Sequence, residues 1–114
     1  MKDAALFIGW NRAVPGKESL ALELFAMATT YFEGQKKKGN IENYEPVLIG
    51  AHAGDLNGFM LIRGTPEKLA ALRRDDEFLQ LIVRSEITMQ GFGVVEAYRG
   101  DGLNKMMDLY RKNI

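Results

Sequence analysis

An α+β sandwich in the order strand, helix, strand, strand, helix, strand, with one more helix at the C-terminal end, is predicted by three observations. Hydropathy alternates between a period of two and a period near 3.6 along the chain. Turn-forming Gly, Pro, Asn and Asp cluster where the period changes. The 114 residues suffice for one two-layer core, so residues 1–114 are expected to form a single domain.

The first strand is expected over residues 4–12 (AALFIGWNR), an apolar run closed by Pro15 and Gly16. Helical spacing then runs from 17 to 38. Leu20, Leu24, Met27 and Tyr31 form a stripe that Phe25, Ala28 and Phe32 widen. Lys36, Lys37 and Lys38 suit the negative end of that helix, and Gly39-Asn40 supply a left-handed stop. Residues 44–53 and 58–64 read as a hairpin around a four-residue turn, 54–57. Thr65-Pro66 opens the next helix, Thr65 as cap and Pro66 at the first position. Asp75-Asp76 mark a break and a restart. A last strand is expected over 92–99, and Asp101 is expected to cap a final helix with Leu103, Met106, Met107 and Tyr110 on one face.

This order is the split βαβ plan of a ferredoxin-like fold, with strand order four, one, three, two and both main helices on one face of the sheet. Alternation divides each strand into two sets. The set Ala5, Phe7, Gly9, Val47, Ile49, Ala51, Met60, Ile62, Gly93, Val95 and Ala97 is small and apolar, and is expected under the helices. The other set holds Leu6, Ile8, Trp10, Arg12, Tyr44, Leu48, Gly50, His52, Phe59, Leu61, Arg63, Phe92, Val94, Glu96 and Tyr98. It is too apolar to face water, so face-to-face pairing with a second copy into a dimeric α+β barrel is expected. A turn at 54–57 would place His52 opposite Phe59, Gly50 opposite Leu61 and Leu48 opposite Arg63.

Three segments, FIGWNRAVPGKE, HAGDLNGFMLIRGTPEKLAALRRDDEF and GFGVVEAYRG, carry a resemblance that spans nearly the whole chain. The sequence resembles the dimeric α+β barrel superfamily, and within it a group of small bacterial proteins of unknown function. The superfamily includes antibiotic-biosynthesis-type monooxygenases, muconolactone isomerases, EthD-like proteins and heme-degrading monooxygenases. The resemblance implies the fold and a homodimer, while the chemistry differs among members. Heme-degrading members use a histidine on a helix together with Asn and Trp. Trp10 and Asn11 are present, but His52 is expected at a strand end, so that pattern does not carry over.

On the barrel reading, Trp10, Arg12, His52, Phe59 and Phe92 converge at one end and Tyr44, Arg63, Glu96 and Tyr98 at the other. His52, the single histidine, is the candidate general base, and Arg12 the candidate holder of an anionic substrate or enolate. The competing reading of His52 is a ring bonded to a turn carbonyl or to Asp55, merely closing the barrel end. Arg63 and Glu96 form either a structural pair or a polar contact for a ligand. Tyr44, Trp10, Phe59, Phe92 and Tyr98 are candidate ligand contacts or barrel filling.

Fifteen Lys and Arg balance fifteen Asp and Glu, which argues against general nucleic-acid binding. The absence of cysteine excludes disulfides, thiolate metal sites and thiol nucleophiles, and fits a reducing cytoplasm. The apolar run at 4–10 is too short to span a membrane. The expectation is a soluble cytoplasmic homodimer without metal or cofactor. It either acts on a small hydrophobic or aromatic molecule, as a cofactor-independent monooxygenase or isomerase, or binds an apolar ligand without chemistry.

Overall fold

The computed structural model describes residues 3–114. Strands β1 (Ala4–Trp10), β2 (Asn43–Leu48), β3 (Gly58–Gly64) and β4 (Gly93–Ala97) form one antiparallel sheet in the order β2-β3-β1-β4, as the split βαβ plan requires. Helices α1 (Glu18–Lys37), α2 (Pro66–Leu72) and α3 (Asp76–Thr88) connect the strands, and α4 (Gly100–Lys112) follows β4. The helix boundaries have local causes. Thr65 accepts from the Lys68 N–H at the start of α2, and Asp75 accepts from the Phe78 N–H at the start of α3. Gly39 takes φ +76° after α1, where a side chain would be strained. Asp101 does not cap α4: it lies in the first turn and accepts from the Asp3 N–H instead.

The register fixes the two faces. Leu6 pairs with Ile62 and Glu96, Ile8 with Met60 and Val94, and Trp10 with Gly58. Leu6, Ile8, Met60 and Ile62 are buried with Leu24, Tyr31 and Phe32 of α1, Leu69 and Leu72 of α2, and Phe78 and Leu81 of α3. This core is sealed by apolar burial worth roughly 1.5–3 kcal/mol for each large side chain. The opposite face carries Ala5, Phe7 and Gly9, Phe59, Leu61 and Arg63, Val47, and Gly93, Val95 and Ala97.

The face assignment expected from sequence therefore holds for β3 and is inverted for β1, β2 and β4. In β2 the cause is the turn. β2 ends at Leu48 opposite Gly58, and residues 49–57 form a wide loop closed by the Ile49 N–H donating to the Asn57 carbonyl. Val47 faces Phe59, where His52 was expected. An odd offset of this kind turns every side chain to the other face. In β1 both alternate sets are apolar, and in β4 each set holds a valine with Glu96 as the one charge, so periodicity supplies two faces without saying which one the helices cover. The expectation of one uncovered apolar face nevertheless survives, with its β3 members kept and those of β1, β2 and β4 exchanged. Phe7 and Phe59 stack there at 5.3 Å, Val95 is 55% exposed, and α1–α3 all lie on the other side.

Candidate functional site

The N-terminal half of α1 buries only Leu24. Its C-terminal half is anchored by Tyr31 and Phe32, which pack edge-to-face with each other and contact Phe78. Leu20, Leu22 and Met27, by contrast, remain 46–75% exposed. The space left between α1, α3 and the helix-facing side of β1 and β3 is a cavity of about 640 Å³. That volume falls within the usual range of small-molecule sites, roughly 300–1,000 Å³.

Its interior is apolar: Ile8 and Met60 from the sheet, Leu24, Phe25 and Phe32 from α1, Phe78, Leu81 and Ile82 from α3, and Phe92. Leu22 and Leu48, each 75% exposed, sit on its rim. Trp10 forms part of the wall. Its indole lies against Gly58, where a Cβ would come within 2.6 Å of the ring, and it meets Phe25 edge-on at 6.3 Å. Gly58 is thus the residue that allows a tryptophan at this position.

Polar groups gather where β1 ends. Asn57 donates through Nδ2 to Asn11 Oδ1 and to the Gly54 carbonyl, and its N–H donates to the Trp10 carbonyl. The Asn11 N–H donates to the Gln90 carbonyl, and the Gln90 N–H to the Arg12 carbonyl. These bonds tie the end of β1 to the 49–57 loop and to the segment before β4. Asn11, Arg12 and Asn57 all border the cavity. Among the described residues the exposed Arg12 guanidinium has no hydrogen-bond or ion-pair partner, so its charge is available to an anion entering there. The other charged lining residue, Glu18, turns its carboxylate to the Gly16 N–H at 2.8 and 3.0 Å. Ser85 donates to the Leu81 carbonyl.

Of the residues singled out from sequence, Trp10, Arg12 and Phe92 are brought together at this cavity. His52 lies on the exposed 49–57 loop, where its Nδ1 bonds the Gly50 carbonyl at 2.9 Å. Phe59 and Arg63 lie on the uncovered sheet face. Tyr44 packs on Phe32 and donates to Glu33 at 2.8 Å, a bond that raises its phenol above the ordinary range. Glu96 and Tyr98 border a separate hollow beside α2, with Arg73 and Arg74. Arg63 and Glu96 point to opposite faces of the sheet and do not pair. Asn11 and Asn57 were missed as site residues. Their only sequence signal is a position just beyond a strand end and in a turn, which is also where structural Asn collects. Among the described residues no cluster of three or more His, Asp or Glu has metal-binding geometry.

The sheet order and the helices on one face define an α+β protein with the ferredoxin-like fold, and solved structures agree. The chain superposes on a dimeric ferredoxin-like protein of unknown function from Jannaschia sp. CCS1 with a TM-score of 0.64 at 9% identity, covering 83% of this chain and 95% of that one. It superposes on a dimeric protein of unknown function with a ferredoxin-like fold from Bacteroides fragilis NCTC 9343 with a TM-score of 0.61 at 13% identity, covering 83% and 94%. A candidate antibiotic biosynthesis monooxygenase from Chloroflexus aurantiacus J-10-fl gives 0.55 at 17% identity, covering 85% and 93%. At these identities the likeness is one of fold. No family model matches the sequence, and the search of curated proteins gives no significant match.

Proposed function

We propose that the cavity between α1, α3 and the sheet receives a small, largely apolar or aromatic molecule whose anionic or enolic end lies at Arg12, Asn11 and Asn57, and that the protein works as a homodimer. The observation that carries the reading is a cavity of about 640 Å³ whose wall is apolar apart from these three side chains and from Glu18 and Ser85, which are bonded to backbone groups. The uncovered face of Phe7, Phe59, Leu61 and Val95, and the dimeric state of the Jannaschia and Bacteroides proteins, support the dimer.

The enzymatic form of this reading is cofactor-independent oxygenation or isomerisation of an enol or phenol. Arg12 stabilises the developing anion, the two amides orient the oxygen, and the apolar wall excludes water. The Chloroflexus protein supports oxygenation. One observation favours binding without turnover instead: Glu18 is committed to the Gly16 N–H, so the lining holds no uncommitted carboxylate or histidine to remove a proton.

The test is to incubate the protein with phenols and enolic ketones in air and follow oxygen uptake and product. Turnover that is lost in Arg12→Ala and kept in His52→Ala supports catalysis at the cavity. Turnover lost in His52→Ala would move the base to the 49–57 loop. Saturable binding with no oxygen uptake and no isomerised product would establish the binding form.

A further inference from the structure

We propose that α4 is an exchanged arm: in the homodimer proposed above, on which this inference rests, its apolar stripe packs on the second copy of the chain. Leu103, Met106, Met107 and Tyr110 fall on one side of α4 at spacings of three and four, and Ile114 continues the line. Among the described residues their own chain covers them only in part. Leu103 is 45% and Tyr110 63% exposed, and of the whole helix only Gly102 is buried and Met106 half-buried. The protrusion registers in the overall dimensions. The radius of gyration is 15.3 Å, against about 13 Å for a compact chain of this length.

A 13-residue helix is too short to persist in water by itself, and Gly100, Gly102 and Asn104 make this one weaker still. Its exit direction is nevertheless set. Gly100 takes φ +57°, Arg99 pairs with Asp3 at 3.4 Å, and the Asp3 N–H donates to Asp101. A side chain at Gly100 would run into the Asp3 carboxylate. The arm is thus held at its base and directed away from its own sheet.

The occupant follows from where the arm begins. It leaves β4 directly after Val95 and Ala97, which belong to the uncovered face assigned to the dimer, so its stripe is continuous with that interface. A lipid surface fits less well. The polar side mixes Lys105, Arg111 and Lys112 with Asp101 and Asp108, and Arg111 is already paired to Asp108, whereas helices that lie on anionic membranes carry a basic polar side.

The experiment uses the full chain with the photo-crosslinking residue p-benzoylphenylalanine in place of Tyr110, mixing isotope-labelled and unlabelled copies. The expected result is a covalent dimer whose labelled and unlabelled peptides are joined, absent when Leu61→Asp breaks the sheet-face contact. Deletion of residues 100–114 should also raise the dimer dissociation constant at least tenfold. A protein that is dimeric by light scattering but crosslinks only within a chain, or not at all, overturns the arm and leaves the dimer standing. A protein that is monomeric at tens of micromolar overturns both. Crosslinking that appears only on phosphatidylserine vesicles overturns the arm in favour of a membrane.

Discussion

Gly58→Ala separates the site from the fold more sharply than any other single change. Gly58 is buried opposite Trp10, and an added Cβ would stand 2.6 Å from Cε2, Cζ2 and Nε1 of the indole. An ordinary carbon contact needs about 3.5 Å, so the ring must retreat by about 1 Å. Open space lies on its other side, because Trp10 borders the cavity. The stability cost should therefore sit at the low end of overpacking, about 1 kcal/mol. The cavity, in contrast, narrows at its aromatic wall, and a ligand should lose about tenfold in affinity, or 1.4 kcal/mol. Urea unfolding gives the first quantity. Titration of a bound aromatic acid gives the second, and the emission of the single tryptophan reports the ring's movement in both. A loss above 3 kcal/mol would show that the indole has no room to move, and unchanged affinity with unchanged emission would remove Trp10 from the site.

Other expectations follow from the core and its hydrogen bonds. Ile62 is fully buried beneath the helices, and Ile62→Ala should cost about 2–5 kcal/mol in urea unfolding. Tyr31, also buried, donates to Asp75 Oδ2 at 2.7 Å, and burial first, then that bond, push its phenol above the ordinary range. Tyr31→Phe should cost about 1 kcal/mol at neutral pH, since Asp75 keeps its bond to the Phe78 N–H. Because the folded state holds this proton more tightly than the unfolded one, the contribution is complete below about pH 10 and disappears as pH rises above it. Stability curves of wild type and variant should therefore converge in alkali; parallel curves through pH 11 would contradict the assignment.

The element order was legible because local rules act locally. Thr65-Pro66, Asp75 and Gly39 mark helix ends through bonds and dihedral angles that a few neighbouring residues determine. The faces of the sheet were not, because the hairpin offers two turns. Gly54-Asp55-Leu56-Asn57 reads as a tight turn, yet Asn57 spends its amide on Asn11, across 46 residues, within a longer loop. That non-local bond shifts Val47 into the place expected for His52 and takes His52 off the sheet.

The cavity was hidden for a related reason. The stripe of α1 predicts burial along its whole length, and only tertiary packing shows that Tyr31 and Phe32 are seated while Leu20 and Met27 are not. Arg12 and Trp10 were picked out from sequence as partners of His52. The structure sets them instead beside Asn11, on the face that the helices cover.

Trp10 is both the chain's single tryptophan and part of the wall of the helix-facing cavity proposed to bind the ligand. Tryptophan emission should therefore be followed while a panel of aromatic acids, phenols and aliphatic acids is titrated in. Saturable quenching or a spectral shift is expected from at least one class of anionic or enolic aromatic, weakened about tenfold or more in Arg12→Ala. A ligand that binds by calorimetry without changing Trp10 emission, or with equal affinity for wild type and Arg12→Ala, would place the site elsewhere and contradict that proposal.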